Sequence, residues 1–415
     1  MLKQENIKKQ NFFNKTFLSF NYPNYRIWFL GQVVSLFGTW MQITVLGYLL
    51  YKLTNSSAYL GFLGFIQGLP SWFLMLYGGV VADRMSRRNL MIITQTSMMI
   101  LAFILSLLTF LDIIRPWHII LLAAFLGIAN AFDAPARQSF VLEMVDEHAL
   151  TNAIALNSTM FNLAMAIGPA VGGILYGIVG PGWCFVINGV TFIAIIVALL
   201  LMKLKKNTIV KDKSSSSLTD LKNGLKYVIK EPKIRTLILL VGIVGLLGLG
   251  LIALFPAWSV KILKKDSEIY GFLFFSRAIG MLVGALTIAS LGHFKFRGKL
   301  LTLGTIFFPV MLFIFAFVRW IPLSMFLLFL NGLFMIFIFN LTNSLVQSTA
   351  KDEFRGRVMG LFSLAFFGFM PLGALLCGVF ATFFGETLTF VVFSIILFLF
   401  SIFIWFRFPH IRSSE

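Results

Sequence analysis

Gly78-Gly79-Val80-Val81-Ala82-Asp83-Arg84-Met85-Ser86-Arg87-Arg88 is the stretch from which the fold can be read. An apolar run enters it from Leu60 and another leaves it at Leu90. Between them stand one carboxylate and three guanidinium groups, in a segment too short to form a domain. Gly78, Gly79 and Ala82 are small enough to let a neighbouring helix come close. The arginines cannot rest in hydrocarbon, so the stretch reads as a turn between two membrane spans, held on the cytoplasmic side.

Composition agrees. Hydrophobic residues make up 59% of the 415 and charged ones only 12%, with a mean hydropathy of +0.91. One water-soluble core cannot hide that much apolar surface, so lipid is the solvent for much of the chain. The fold class expected is an all-α membrane protein with about twelve spans, near 26–51, 57–82, 90–111, 117–140, 152–178, 183–203, 236–260, 269–292, 300–319, 323–347, 357–381 and 387–407. Each is long enough to cross about 30 Å of hydrocarbon.

A net charge of +18 would suggest nucleic acid in a soluble protein. Its distribution excludes that partner. With the N-terminus inside, the outer loops hold only Lys52, Arg115, Lys261, Lys264, Lys265 and Arg319, and almost all other basic residues fall on the cytoplasmic side. The charge is a topology signal and a contact for anionic lipid headgroups. It predicts a multi-pass protein of a bacterial plasma membrane with both ends in the cytoplasm, and no cleavable signal peptide is expected in Met1–Asn24. Cys184 and Cys377 have no ligand-like neighbours and the four histidines are scattered, so neither a metal nor a cofactor is expected. The absence of a nucleophile or acid–base constellation argues against an enzyme.

Five segments follow: a tail over 1–24, a six-helix bundle over 25–203, a linker over 204–235, a second bundle over 236–408 and a tail over 409–415. The tail carries Phe13, Phe17 and Phe20 at helical spacing, which predicts a turn lying along the membrane surface. In the linker, Leu218, Leu221, Leu225 and Val228 share one face, with a capping pair at Ser217 and Asp220 and a stop at Pro232. An amphipathic helix on the cytoplasmic surface is expected there, tying the halves together.

Polar groups inside spans mark the candidate sites, because lipid cannot satisfy them. Gln32, Ser35, Thr39 and Gln42 form a stripe on the first span. Packing would explain Ser35 and Thr39; two glutamines point equally to a cavity lining. Trp40 and Tyr48 suit ligand contact, packing or the interface. In the fourth span Asn130, Asp133 and Arg137 share a face at i, i+3, i+7. Asp133 has two candidate partners, Arg137 and an arginine of the 83–88 stretch. It lies about 24 Å from the outer end, a depth suiting a cytoplasmic gate better than a central site or a proton carrier. Arg277 is the one charge well inside a span, about 12 Å from the outer boundary. Substrate binding and a structural role, on backbone carbonyls or on Asp112 or Glu386, are both open. In the seventh span, glycines at 242, 245, 248 and 250 predict a flexible or close-packed helix. Asn340, Asn343 and Gln347, the basic 351–357 loop and Gly368–Pro371 echo the first half, as a doubled six-helix plan would.

Spaced as G-x-x-A-D-R-x-x-R-R, the opening stretch resembles the loop between spans two and three of the major facilitator superfamily. Ala155, Ala164, Gly168, Pro169, Gly172 and Gly173 resemble that superfamily's antiporter motif G-x8-G-x3-G-P-x2-G-G, with alanine for its first two glycines. Asn130–Gln138, Asn152–Asn157, Gly182-Trp183-Cys184-Phe185, 218–235 and Arg355–Gly360 resemble the enterobactin-exporter-like subfamily, whose relatives include macrolide-efflux proteins. The resemblance implies two pseudo-symmetric six-helix bundles and alternating access. It implies export of a siderophore-like or amphipathic small molecule by proton antiport, from a monomer in contact with membrane lipid. The first span lacks the acidic residue of many drug/proton antiporters.

On that plan a cavity lined by spans one, four, seven and ten would use Gln32, Thr39, Trp40, Gln42 and Asn331, with Arg277 reaching in from span eight to attract anionic oxygens. Asp83, Arg84, Arg87, Arg88, Asp133 and Arg137 would shut the cytoplasmic side. Gly168, Pro169, Gly172 and Gly173 would form a bendable seam. The alternatives are a multidrug or macrolide pump, a lipid or lysophospholipid transporter with a cavity open to the bilayer, and a receptor or scaffold that transports nothing.

Overall fold

A computed structural model describes residues 17–203, 217–291 and 296–408, without the side chains at 75–76, 80, 82–84 and 217–222. The early tail with Phe13, the start of the linker, the 292–295 loop and the last tail lie outside the described residues, as does the capping pair Ser217–Asp220 at side-chain level.

Apolar runs become helices because a bilayer leaves the backbone no other partner. The spans are α1 (Pro23–Thr54), α2 (Ser57–Arg84), α3 (Arg87–Phe110), α4 (Pro116–Phe140), α5 and α6 (together Glu147–Leu201), α7 (Pro232–Ile262), α8 (Ser267–Leu291), α9 (Arg297–Phe315), α10 (Ile321–Thr349), α11 (Asp352–Phe384) and α12 (Glu386–Arg407). The 55-residue run breaks at Gly180, whose φ of 81° and ψ of 168° separate α5 from α6. Gly385, with φ 81° and ψ 158°, makes the same bend between α11 and α12. Only glycine takes that conformation without strain. The two halves thus repeat a backbone feature at the same place.

The opening stretch corrects one expectation. Asp83 and Arg84 belong to the last turn of α2, and Arg87 already begins α3, so the turn proper is Met85–Ser86. Helical hydrogen bonding runs on until Met85 turns extended (φ −108°, ψ 160°).

Spans seven and eleven are helical with irregular turns. α7 passes through π turns at Val244–Leu249 and Trp258–Ile262 and a 3-10 stretch at Gly250–Leu254; α11 has a π turn at Leu364–Gly368. Such turns mark strain or function inside a helix. Here they lie against each other: a Cβ on Gly245 would stand 2.7 Å from the Phe366 carbonyl, and one on Gly250 would collide with Gly373.

The halves meet along two seams of small residues. On α2 and α11, Gly61 faces Ala374 and Gly378, Gly64 faces Ala374 and Gly68 faces Pro371; on α5 and α8, Gly173 faces Ser267 and Gly271. Contacts that cross between the halves include Ser57–Glu386 (2.8 Å), Lys52–Asp266 (3.8 Å), Ser267–Gly173 (2.8 Å) and the stacked Tyr48–Tyr270 pair (6.1 Å). All stand toward the end opposite the arginine-rich stretch. That end is sealed.

The linker helix (Ser217–Lys230) packs on the second half. Tyr227 stacks on Phe354 at 4.5 Å and its hydroxyl accepts from the Lys351 backbone N–H. At the other terminus, Leu18–Asn21 forms a 3-10 turn docked on the start of α5: Ser19 donates to the Ala149 carbonyl, and Asn152 accepts from both its N–H and its hydroxyl.

Candidate functional site

The first half encloses a cavity of about 170 Å³. Thr39 and Gln42 of α1, Gln67 of α2, Asn130 of α4 and Asn188 of α6 bring polar groups to it; Leu46, Met98, Leu126 and Phe192 supply apolar wall. No charged side chain lines it. Close packing opens the space: a Cβ on Gly127 would meet the Gln67 carbonyl at 2.5 Å, so only glycine lets α4 approach α2 this closely.

Hydrogen bonds hold the polar groups in place. Asn188 Nδ2 donates to Gln42 Oε1 at 2.7 Å, and Thr191 donates to Asn188 Oδ1 at 3.0 Å. Asn130 Nδ2 donates to the Leu126 carbonyl at 3.0 Å, which leaves its amide oxygen for a ligand. A set of amides in an otherwise apolar hollow can read hydroxyl, carbonyl and amide groups, and orients a guest without neutralising charge.

Of the expected cavity residues, Thr39 and Gln42 are present. Gln32 is buried on the same helix with an unpartnered Oε1, and Trp40 packs edge-on against Phe161 at 5.6 Å. Neither lines the cavity. Gln67 and Asn188 are the additions: single amides in apolar helices, with no periodic partner to signal them.

Arg277 and Asn331 come together in the second half. Arg277 Nε donates to Asn331 Oδ1 at 3.2 Å, a terminal nitrogen lies on the Met335 sulfur, and Asn331 Nδ2 donates to the Phe308 carbonyl at 3.3 Å. Both are buried. The described partners of this guanidinium are neutral, and neither Asp112 nor Glu386 is among them.

The arginine-rich end divides the expected gate into separate bonds. Asp133 is buried: its Oδ1 accepts from Thr94 and from Gln95, both at 2.9 Å, and its Oδ2 lies 3.7 Å from Arg137 Nε. Its arginine partner is therefore the one on its own helix. Arg87 pairs with Glu143 at 2.9 Å and Arg88 donates to the Leu200 carbonyl at 2.8 Å. Two like charges at the start of α3 oppose the helix dipole, and a carboxylate and a helix-terminal carbonyl offset them. Glu143 was not legible as a partner because it lies on a separate turn after α4. The side chains of Asp83 and Arg84 lie outside what the structure describes.

The α5 motif faces two ways. Gly168 and Gly172 lie against Trp40 and Met41 of α1, while Gly173 lies against α8. One helix thus packs its own half with two of its glycines and spans the seam with the third. Ala164 is buried on the same helix.

With this geometry in hand, comparison with known proteins is specific. The model of a family described as transmembrane secretion effector matches residues 15–415. The chain is similar to the staphyloferrin A transporter of Staphylococcus aureus, at 24% identity over 89% of this chain and 92% of that one. It is similar to the macrolide efflux protein A of Streptococcus pyogenes, at 26% over 86% and 89%, and to the enterobactin exporter EntS of Shigella boydii, at 24% over 90% and 88%. Among solved structures the nucleoside transporter NupG superposes with a TM-score of 0.72 at 15% identity, covering 94% of this chain and 100% of that one. A bacterial Spinster homologue, inward-facing and unoccupied, gives 0.72 at 13%, covering 94% and 98%. These two share the fold.

Proposed function

The chain belongs to the transmembrane secretion effector family, and on that footing we propose that it exports a small organic molecule by alternating access, in exchange for protons. The observation that carries this reading is the distribution of contacts between the halves. They are tied at one end by two small-residue seams and four polar or ring contacts. At the arginine-rich end the pairs Arg87–Glu143 and Arg137–Asp133 lie inside the first half and Arg355–Asp352 inside the second. Such an assembly is closed on one side and ready to rock. With the basic end in the cytoplasm, as its charge requires, the joined end faces outward and substrate is taken up from the cytoplasm. Both termini are then cytoplasmic, in a bacterial plasma membrane, and the monomer is the working unit.

Thr39, Gln42, Gln67, Asn130 and Asn188 hold the hydrogen-bonding part of the substrate. Arg277, with Asn331 as its orienting partner, attracts carboxylate or catecholate oxygens once the second half swings over the cavity. Gln32 and Trp40 support α1 from behind. Asp133, Arg137, Arg87, Arg88 and the Asp83–Arg84 turn close the cytoplasmic side in the outward state. The siderophore transporters among the relatives support an anionic, oxygen-rich substrate. A second reading, efflux of neutral amphipathic drugs, is favoured by the uncharged cavity and by the macrolide and multidrug pumps among the relatives.

The test is flux in reconstituted vesicles under an imposed proton gradient, with substrate candidates drawn from metabolite extracts of knockout and wild-type cells. Accumulation of an anionic chelator by the knockout supports the first reading. Loss of drug resistance without any retained chelator supports the second, and absence of all gradient-driven flux removes both.

A further inference from the structure

Two carboxylates among the described residues are buried, Asp133 at 3% exposure and Glu386 at 2%. Asp133 is bonded wholly within the first half, to α3 and to its own helix. Glu386 is placed differently. It is the first residue of α12, and its Oε1 accepts from the hydroxyl of Ser57, the first residue of α2 in the other half, at 2.8 Å. Lys261, near the end of α7, donates to the same oxygen at 3.2 Å and lies 2.9 Å from Oε2. One carboxylate therefore joins α2, α7 and α12 at the sealed end.

The surroundings sharpen its role. The Lys261 side chain is 54% exposed, so the pair stands at the water boundary and a proton from that side has a route to it. Tyr51 of α1 is buried nearby with an unpartnered hydroxyl. Lys52 bonds the exposed Asp266, and Arg319 of the α9–α10 turn donates to Thr387, the residue after Glu386. Asp112, Asp266 and Glu268, the other described carboxylates at this end, are exposed. His118, in the first turn of α4, accepts from the Arg115 backbone, away from the cluster. Both hydrogen bonds fall on Oε1, while the buried Oε2 is met by the Lys261 ammonium through charge alone, so losing that charge removes the reason for Lys261 to stay.

We propose that Glu386 is the site at which protons act on this transporter. Ionised, it latches α2 and α7 to α12 and keeps this end shut; protonated from the adjacent water, it releases Lys261 and the seam between α2 and α11 parts. The proposal rests on the alternating-access reading and adds to it the group that couples protons to opening.

The test reads conformation in the absence of substrate. Spin labels are placed at Ile113 and Phe317, exposed residues of the α3–α4 and α9–α10 turns, in purified full-length chain with Cys184 and Cys377 replaced by alanine. A single short distance is expected at neutral pH, with a longer one growing as the medium is acidified. In Glu386→Gln the longer distance is expected at neutral pH and is indifferent to acid. In Lys261→Met, which leaves the carboxylate without its cation, the longer distance is expected under milder acidification than in the parent chain.

An acid response that survives unchanged in Glu386→Gln overturns the proposal. So does the lack of any response in the parent chain, or a transition that Lys261→Met leaves in place. If Glu386→Gln does not fold, the parent titration and Lys261→Met still decide. A chain that shows the response yet exports nothing leaves the latch standing and removes only the export reading.

Discussion

Asn188 Nδ2 and Gln42 Oε1 are 2.7 Å apart, and this single hydrogen bond ties α6 to α1 beside the cavity of the first half. Both residues are buried, so the bond is shielded from water and each group depends on the other. It fixes how the Gln42 amide is turned toward a guest.

Asn188→Ala is expected to leave Gln42 Oε1 without its donor, at a cost of about 1–3 kcal/mol. Apparent affinity for substrate should weaken while the protein still inserts. Binding by scintillation proximity on purified material checks this, and unchanged affinity would take the pair out of the site.

Arg277→Ala is expected to lower export of an anionic substrate by about tenfold or more, the worth of a hydrogen bond to a charged group. Arg277→Lys should restore little of it, because an ammonium cannot reproduce the fork that meets Asn331 and an oxyanion together. Neutral drugs should be exported as before. Equal loss for both substrate types would mean that Arg277 only holds α8 to α10.

Gly61→Leu is expected to wedge the α2–α11 seam, since even a Cβ there would lie 2.5 Å from the Ala374 carbonyl. The sealed end should then open, and a cysteine placed on α2 near Leu60 should react with a bulky thiol reagent added from that side. Protection equal to that of the parent would show that the seam does not close the pathway.

Asp133→Asn keeps an acceptor for Thr94 and Gln95 but removes the charge facing Arg137. A slower turnover with little change in affinity is expected, as for a gate group. Initial rates against substrate concentration separate the two parameters. A change confined to affinity would place Asp133 in the binding site.

Much of this architecture was legible in the primary structure because lipid imposes a simple demand. The twelve helices followed from apolar length alone, and the glycines of α7 announced a flexible or close-packed helix, although neither its packing on α11 nor the π turns. The site was less legible. Thr39 and Gln42 announced themselves as a stripe, whereas Gln67 and Asn188 are solitary amides that only the packing of five helices brings together. The expected cavity shared by spans one, four, seven and ten differs from the described one, to which α7 and α10 contribute nothing. Charge pairs were hardest, because Arg87–Glu143 and Lys261–Glu386 join segments far apart in the chain and no local period encodes such a meeting.

The twin bends at Gly180 and Gly385 carry a consequence of their own. Where Gly180 is followed by Pro181, a residue that starts a helix and does nothing chemical, Gly385 is followed by Glu386. A scaffold built twice over has been made unequal at one matching position, where an inert helix starter gives way to an acid. The inequality keeps the halves from being interchangeable: alike in backbone at this bend, one presents an inert helix starter and the other a carboxylate that reaches Ser57 across the seam.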